Sequence, residues 1–338
     1  MKEERMVTEE ALRIRLSCLR EGLVVRRLNR FVAVVMLDGR EVLCHVADSG
    51  RLKELIFPGN RVMVRPVAGR IVCGGGGDER EKVRGGQEAR SRPARKTSFD
   101  LVLAAAPASS ACKEDGEEVK EEDRSAGPEE CPTTWVSVDT RYPTRLFGQA
   151  LRARAVPELS EYEFVRAEYS LDVHGRDDDE TGASGRKEFE KGSGRSESSA
   201  HLDVSDLHLG KKAGKRKEPK SRFDFYLEGP GIPPALVEVK SVTLCVGGRG
   251  LFPDAPTVRG ARHVRELARA VSAGYRAYAV FIAQREDISA VAPNWDTDPG
   301  FSGALADAAR AGVRLLAYRC KVTPEEIVLE PRLLPVML

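Results

Sequence analysis

Three long stretches of this chain cannot belong to a core, and they constrain the fold more than any motif does. Residues 74–94 open on four glycines and continue with mixed charges. Residues 107–132 are acidic around Lys113-Glu114-Asp115-Gly116-Glu117-Glu118. Residues 174–221 run from Asp177-Asp178-Asp179-Glu180 through Gly/Ser repeats to Lys211-Lys212-Ala213-Gly214-Lys215-Arg216-Lys217. Such composition buries too little apolar surface to offset the entropy of ordering the chain, so all three are expected to be disordered surface inserts. About 240 of the 338 residues remain, enough for two compact domains with cores of their own.

Charge and cysteine usage narrow the class. Lys and Arg number 54 against 52 Asp and Glu, a net charge of +2, which excludes a polybasic protein but not a local basic face. The 7 cysteines are scattered without C-x-x-C spacing and read as reduced thiols of a cytoplasmic protein. Met1 to Glu10 mixes charges of both signs, unlike a signal peptide. The longest apolar run, Leu101 to Ala106, is far short of a membrane span, so no membrane partner is expected.

The first part reads as β. Phe31 to Leu37 and Glu41 to Val46 flank Asp38-Gly39, a strong hairpin signal because both turn positions tolerate positive φ. Pro58-Gly59 marks another turn, followed by strand patterns at Arg61 to Val67, Phe99 to Ala104 and Trp135 to Val138. Five or so short strands predict a small OB-like β-barrel over 10–140, interrupted by the inserts at 74–94 and 107–132. The part from 141 to 338 alternates. A helix is expected over Thr144 to Ala155 and strands over Phe164 to Tyr169, Phe223 to Leu227 and Leu236 to Val242. Next come a helix over Val258 to Ala273, a strand over Tyr275 to Ala283, a helix over Pro299 to Ala311 and a strand over Val313 to Tyr318. That order is an α/β sheet carrying the third insert, and the chain as a whole is an α+β, two-domain protein.

The chemistry lies on two of those strands. Glu238 and Lys240 are two apart, so their side chains share one face while Val237 and Val239 point into a core, and Asp224 sits on the strand before. Two carboxylates and a lysine at one sheet edge are what metal-assisted phosphodiester hydrolysis requires: Asp224 and Glu238 hold Mg²⁺ (or Mn²⁺), and the ammonium orients water or meets developing charge. The bland alternative is a solvated strand pair. The D…E-x-K pattern resembles that of the PD-(D/E)XK nuclease superfamily, whose core element order the surrounding α-β-β-β-α-β order matches.

Longer motifs carry a closer resemblance. Val237-Glu238-Val239-Lys240-Ser241-Val242-Thr243-Leu244 is followed by Leu251-Phe252-Pro253-Asp254-Ala255-Pro256-Thr257-Val258-Arg259-Gly260, then His263, Arg265, Glu266 and Leu267. Asp48-Ser49-Gly50-Arg51, Pro58-Gly59, Lys96-Thr97, Phe99-Asp100-Leu101, Val138-Asp139-Thr140-Arg141 and the closing Leu334-Pro335-Val336-Met337-Leu338 complete the pattern. The chain resembles the sugar fermentation stimulation protein A family outside the three inserts. The resemblance implies an OB-like first domain, a restriction-endonuclease-like second one, DNA binding and a part in regulating maltose metabolism. Carried over, Asp224, Glu238 and Lys240 match the catalytic triad, and Glu168 an acidic position on the preceding strand.

Weaker candidates surround these. Asp254, Arg259 and His263 could clamp phosphate or support the metal edge, or be a capped loop and a solvated helix face. Arg51, Arg141 and Arg145 could contact nucleic acid through bidentate phosphate geometry, or be ordinary surface arginines. The expected function is a DNA-binding protein with a Mg²⁺-dependent nuclease-like site. One rival is a DNA-binding regulator of sugar or maltose metabolism that uses the second domain as a scaffold. Another is an interaction protein recruiting partners through its inserts.

Overall fold

The computed structural model describes residues 9–67, 97–106, 133–171 and 221–338. The three expected inserts lie outside the described residues, except Ser221, which opens a strand.

The described chain starts with β1 (Arg13–Arg15) and then winds a barrel from β2 (Arg20–Asn29), β3 (Val32–Leu37), β4 (Arg40–Val46), β5 (Arg61–Pro66) and β6 (Phe99–Ala105), with β7 (Trp135–Ser137) beside β6. Strands run in the order β4-β3-β2-β5-β6-β7, and a parallel β4–β6 pairing at Cys44↔Phe99 to Val46↔Leu101 closes five of them into a barrel. The β3–β4 turn is the expected one: Asp38 and Gly39 sit at φ 47° and 76°, the left-handed geometry that suits a two-residue hairpin. Inside, Val35, Leu37, Val46, Val62, Val64 and Leu101 form a closed aliphatic core. Each such side chain contributes about 1.5–3 kcal/mol of burial as an upper bound.

The second region begins with α1 (Arg141–Arg152), β8 (Phe164–Leu171), β9 (Ser221–Glu228) and β10 (Ala235–Val242). A small sheet of β11 (Leu244–Val246) and β12 (Arg249–Phe252) leads into α2 (Val258–Ser272), β13 (Arg276–Ala283), β14 (Ala290–Pro293), α3 (Pro299–Arg310), β15 (Arg314–Val322) and β16 (Glu326–Glu330). The large sheet runs β1-β16-β15-β13-β10-β9-β8. Its centre is parallel, β10 with β13 and β13 with β15, and is covered on both faces. Val237, Val239, Val280 and Ile282 pack on one side with Leu146, Phe147 and Leu151 of α1. Leu236, Ala279 and Phe281 pack on the other with α2 and α3. Parallel strands buried on both faces read as continuous apolar runs, which is why β13 shows no alternation.

Two departures from the expected organisation matter. Residues 13–15, read as part of the first domain, pair antiparallel with Glu326–Val328 and close the edge of the other sheet. Three residues carry no periodicity that could reveal a partner some three hundred positions away. The two regions also share a core: Met63, Val102, Leu103 and Trp135 of the barrel wall join the cluster around α1. Leu101 and Ala104 face the barrel interior instead, so β6 is covered on both sides. That accounts for the unbroken run Leu101 to Ala106. Among the described residues no helix is long and apolar enough to cross a membrane.

Candidate active site

The β9–β10 ladder is regular from Ala235↔Leu227 to Val237↔Phe225 and stops there. At the next step the Val239 amide donates to the Asp224 side chain, Oδ2, at 2.7 Å. A carboxylate thus takes the place of a backbone acceptor where the two strands part. Glu238 and Lys240 stand at that opening on the face toward α2. Lys240 Nζ donates to Glu238 Oε1 at 2.6 Å, and the two side chains are only 12% and 7% exposed.

The neighbour on the other side is β13, where Ala279 is in register with Glu238. Its small side chain leaves room for α2 to bring His263 over the strand. His263 Nδ1 lies 2.5 Å from the same Glu238 oxygen. Arg259 Nε, one turn earlier, donates to His263 Nε2 at 3.4 Å. An arginine can only donate, so Nε2 accepts, and the ring proton sits on Nδ1, pointing at Glu238. Thr257 starts the helix by accepting from the Gly260 amide at 3.0 Å, which fixes where His263 falls.

Burial and charge set the two acids apart. Burial first, and the Glu238 charge second, push the Asp224 carboxyl up to about 6. Burial acts upward on Glu238 too, but Lys240 and His263 outweigh it and hold its carboxyl below the usual range. The hydrogen bonds use Oδ2 of Asp224 and Oε1 of Glu238. Among the described residues no hydrogen bond engages the second oxygen of either acid. Although His263 touches Glu238, no group of three or more His, Cys, Asp or Glu among the described residues is arranged to hold a metal ion. A hard cation of the Mg²⁺ kind is commonly held by one or two carboxylates, with water and substrate phosphate completing its shell, so the donor set fits it.

The other expected residues do not join that hydrogen-bonded group. Glu168, at φ 55° on β8, falls between the Ala167↔Phe225 and Tyr169↔Phe223 pairs, across from Asp224, but its side chain is 72% exposed and pairs with Arg222. The third insert joins β8 to β9, and sequence spacing across it could not orient that side chain. Arg141 donates Nε to Asp139 Oδ1 at 2.7 Å and Nη2 to Asp139 Oδ2 at 2.5 Å, and reaches Asp100 Oδ2 at 3.4 Å. It is a fork committed to the joint between barrel and α1. Arg51 and Arg145 are exposed, as is Arg259, whose guanidinium supports His263.

Sequence reasoning missed the barrel's share of the site. A cavity of about 220 Å³ opens beside Lys240. Arg30, Asp48, Ser49 and Gly50 wall it from the barrel, and Lys240, Ser241 and the 251–257 loop from the sheet. The motif Asp48-Ser49-Gly50-Arg51 was visible, but nothing local says that it faces Asp254.

Comparison with known proteins supports the same division. A model described as the SfsA N-terminal OB domain matches residues 25–72, and one described as the sugar fermentation stimulation protein RE domain matches residues 203–326. The sugar fermentation stimulation protein homolog of Moorella thermoacetica is 35% identical over 303 residues, covering 90% of each chain. That of Symbiobacterium thermophilum is 36% identical over 311 residues, again 90% of each. A solved structure, Pyrococcus furiosus SfsA in complex with Ca²⁺, aligns with a TM-score of 0.59 at 22% identity, covering 96% of this chain and 98% of that one. At that identity the likeness speaks for the fold.

Proposed function

The chain belongs to the sugar fermentation stimulation protein family, and on that premise we propose that it binds DNA and hydrolyses phosphodiester bonds with a divalent cation held by Asp224 and Glu238. The observation that carries the reading is the buried group at the parting of β9 and β10: two carboxylates, one lysine and, among the described residues, no hydrogen bond to the second oxygen of either acid. Burial first, and the Glu238 charge second, raise the Asp224 carboxyl, and a cation between the two acids would relieve both costs. The Ca²⁺ in the Pyrococcus furiosus structure is in keeping with a divalent cation at such a fold.

A Mg²⁺ or Mn²⁺ ion bound there would polarise the phosphate and lower the pKa of bound water. The chain's own residues do the rest. His263 holds the Glu238 carboxylate in one orientation through its Nδ1 proton. The Val239 amide does the same for Asp224. Lys240 supplies positive charge for the phosphate oxygens as water adds to phosphorus and the P–O bond to the leaving oxygen breaks. The leaving oxygen takes a proton, and the products are a phosphate monoester and a hydroxyl.

The test separates binding from chemistry. Mg²⁺ at 100 times its Kd should stabilise the wild type by about 2.7 kcal/mol in thermal melts. Asp224→Asn should lose that shift. Lys240→Ala should keep it, while cleavage of DNA falls by orders of magnitude. An undiminished shift in Asp224→Asn sinks the reading in favour of a DNA-binding regulator of sugar metabolism built on a nuclease-like scaffold.

A further inference from the structure

We propose that the seam between barrel and sheet is a channel for one strand of nucleic acid, so that the substrate is single-stranded and the barrel supplies half of the site. This rests on the nuclease reading above and adds to it the form of the substrate.

The seam is a fixed structure. Gly50 lies so close to Asp254 that an added Cβ would stand 2.2 Å from its Oδ2. The Leu52 amide donates to that same oxygen at 3.2 Å, joining the barrel loop to the loop before α2. Arg27 ties the rest together: its guanidinium donates to the Arg30 carbonyl at 2.8 Å, to the Gly50 carbonyl at 3.1 Å, and to the carbonyl of Arg51. The β2–β3 hairpin tip and the 48–52 loop therefore move as one wall, held against Asp254.

What that wall presents suits a strand. Arg30 lines the cavity and is exposed, with no ion pair among the described residues. Phe31, next to it in the chain, is 49% exposed, and its carbonyl accepts from the Val46 amide at 2.9 Å, which ties the hairpin tip to the end of β4. An exposed ring next to a cation is the combination on which a base stacks while its phosphate is neutralised. Opposite, the cavity offers Lys240 with the hydroxyls of Ser241, Thr243 and Thr257. The two acids of the lining are turned to backbone: Asp48 Oδ1 accepts from the Gly50 amide at 2.7 Å, and Asp254 from Leu52.

The confinement of the cavity decides strandedness. Lys240 is nine-tenths covered, so a phosphate must come in to it. A phosphate on a duplex brings the whole helix behind it, with grooves alone about 12 and 6 Å wide. A cavity of about 220 Å³, walled on both sides, admits one backbone.

The test compares single-stranded and duplex oligonucleotides of one sequence, as DNA and as RNA, on the full chain with Mg²⁺. Binding is read by fluorescence anisotropy and cleavage on gels. The single strand should bind and be cut at least about tenfold better than the duplex. Arg30→Ala and Phe31→Ala should each remove about tenfold of that affinity while leaving the Mg²⁺-induced melting shift intact. Preference for DNA or RNA identifies the strand and is compatible with the channel. Equal use of duplex, or no loss in either barrel variant, overturns the channel and leaves the nuclease reading standing. Absence of cleavage of every substrate, together with an undiminished shift in Asp224→Asn, overturns both.

Discussion

Two of the places where the described residues bury carboxylates beside a cation solve the problem differently. At the joint of barrel and α1, Asp139 is 1% exposed and both of its oxygens are taken by the fork of Arg141, with Asp100 completing the group. The Arg141 guanidinium is held above its usual range, chiefly by its hydrogen bond to Asp139. At the parting of β9 and β10 the cation is a lysine, a point charge that meets one oxygen of Glu238 and leaves Asp224 to a backbone amide. The first arrangement is closed: each oxygen of Asp139 accepts from the arginine fork in a fixed geometry. The second retains negative charge without donors, and its Asp224 carboxyl is pushed up to about 6. Buried charge by itself therefore does not mark a reactive site. Incomplete neutralisation does.

The largest effect should come from breaking the closed group. Asp139→Ala removes two side-chain acceptors of Arg141, leaving Asp100, and the acceptor for its amide at the start of α1. A loss of about 2–3 kcal/mol in denaturant unfolding is expected, below the full value for a buried pair because Arg141 is half-exposed. A loss under half a kcal/mol would put Asp139 in the same class as a surface pair.

The open group should gain stability as pH falls. The Asp224 carboxyl stands at about 6 in the fold against a usual 3.8, so the folded state holds a proton that the unfolded chain has given up. Its charge is a cost that grows as pH rises from about 4 to about 6 and is complete above that. Without metal, acidification from pH 7 to pH 5 should therefore stabilise the protein through this group by about 1–2 kcal/mol. Asp48, likewise raised to about 6 by burial, adds in the same direction. Asp224→Asn should remove its own share and raise metal-free stability at pH 7. A variant with an unchanged stability profile between pH 5 and 7 breaks the contrast between the two regions.

The smallest effect belongs to an acid that joins neither. Glu168→Ala removes an exposed pair with Arg222 and should change stability by about 0–1 kcal/mol. The Mg²⁺-induced shift should be untouched. A diminished shift would bring Glu168 into the site and redraw the ligand set.

What the sequence by itself determined was local. The Asp38-Gly39 turn, the three helices and the alternation that puts Glu238 and Lys240 on one face all follow from residue type and spacing within a few positions. Tertiary structure decided what depends on distant partners. It brought Arg13–Arg15 to the edge of the other sheet. It turned Glu168 outward across the third insert and set His263 over Ala279 against Glu238. It also pressed Gly50 of the barrel onto Asp254. The physical reason is one of range: backbone torsions and side-chain periodicity are read from neighbours in the chain. Desolvation, ion pairing and close approach depend on which surfaces meet, and here the meeting residues lie up to some three hundred positions apart.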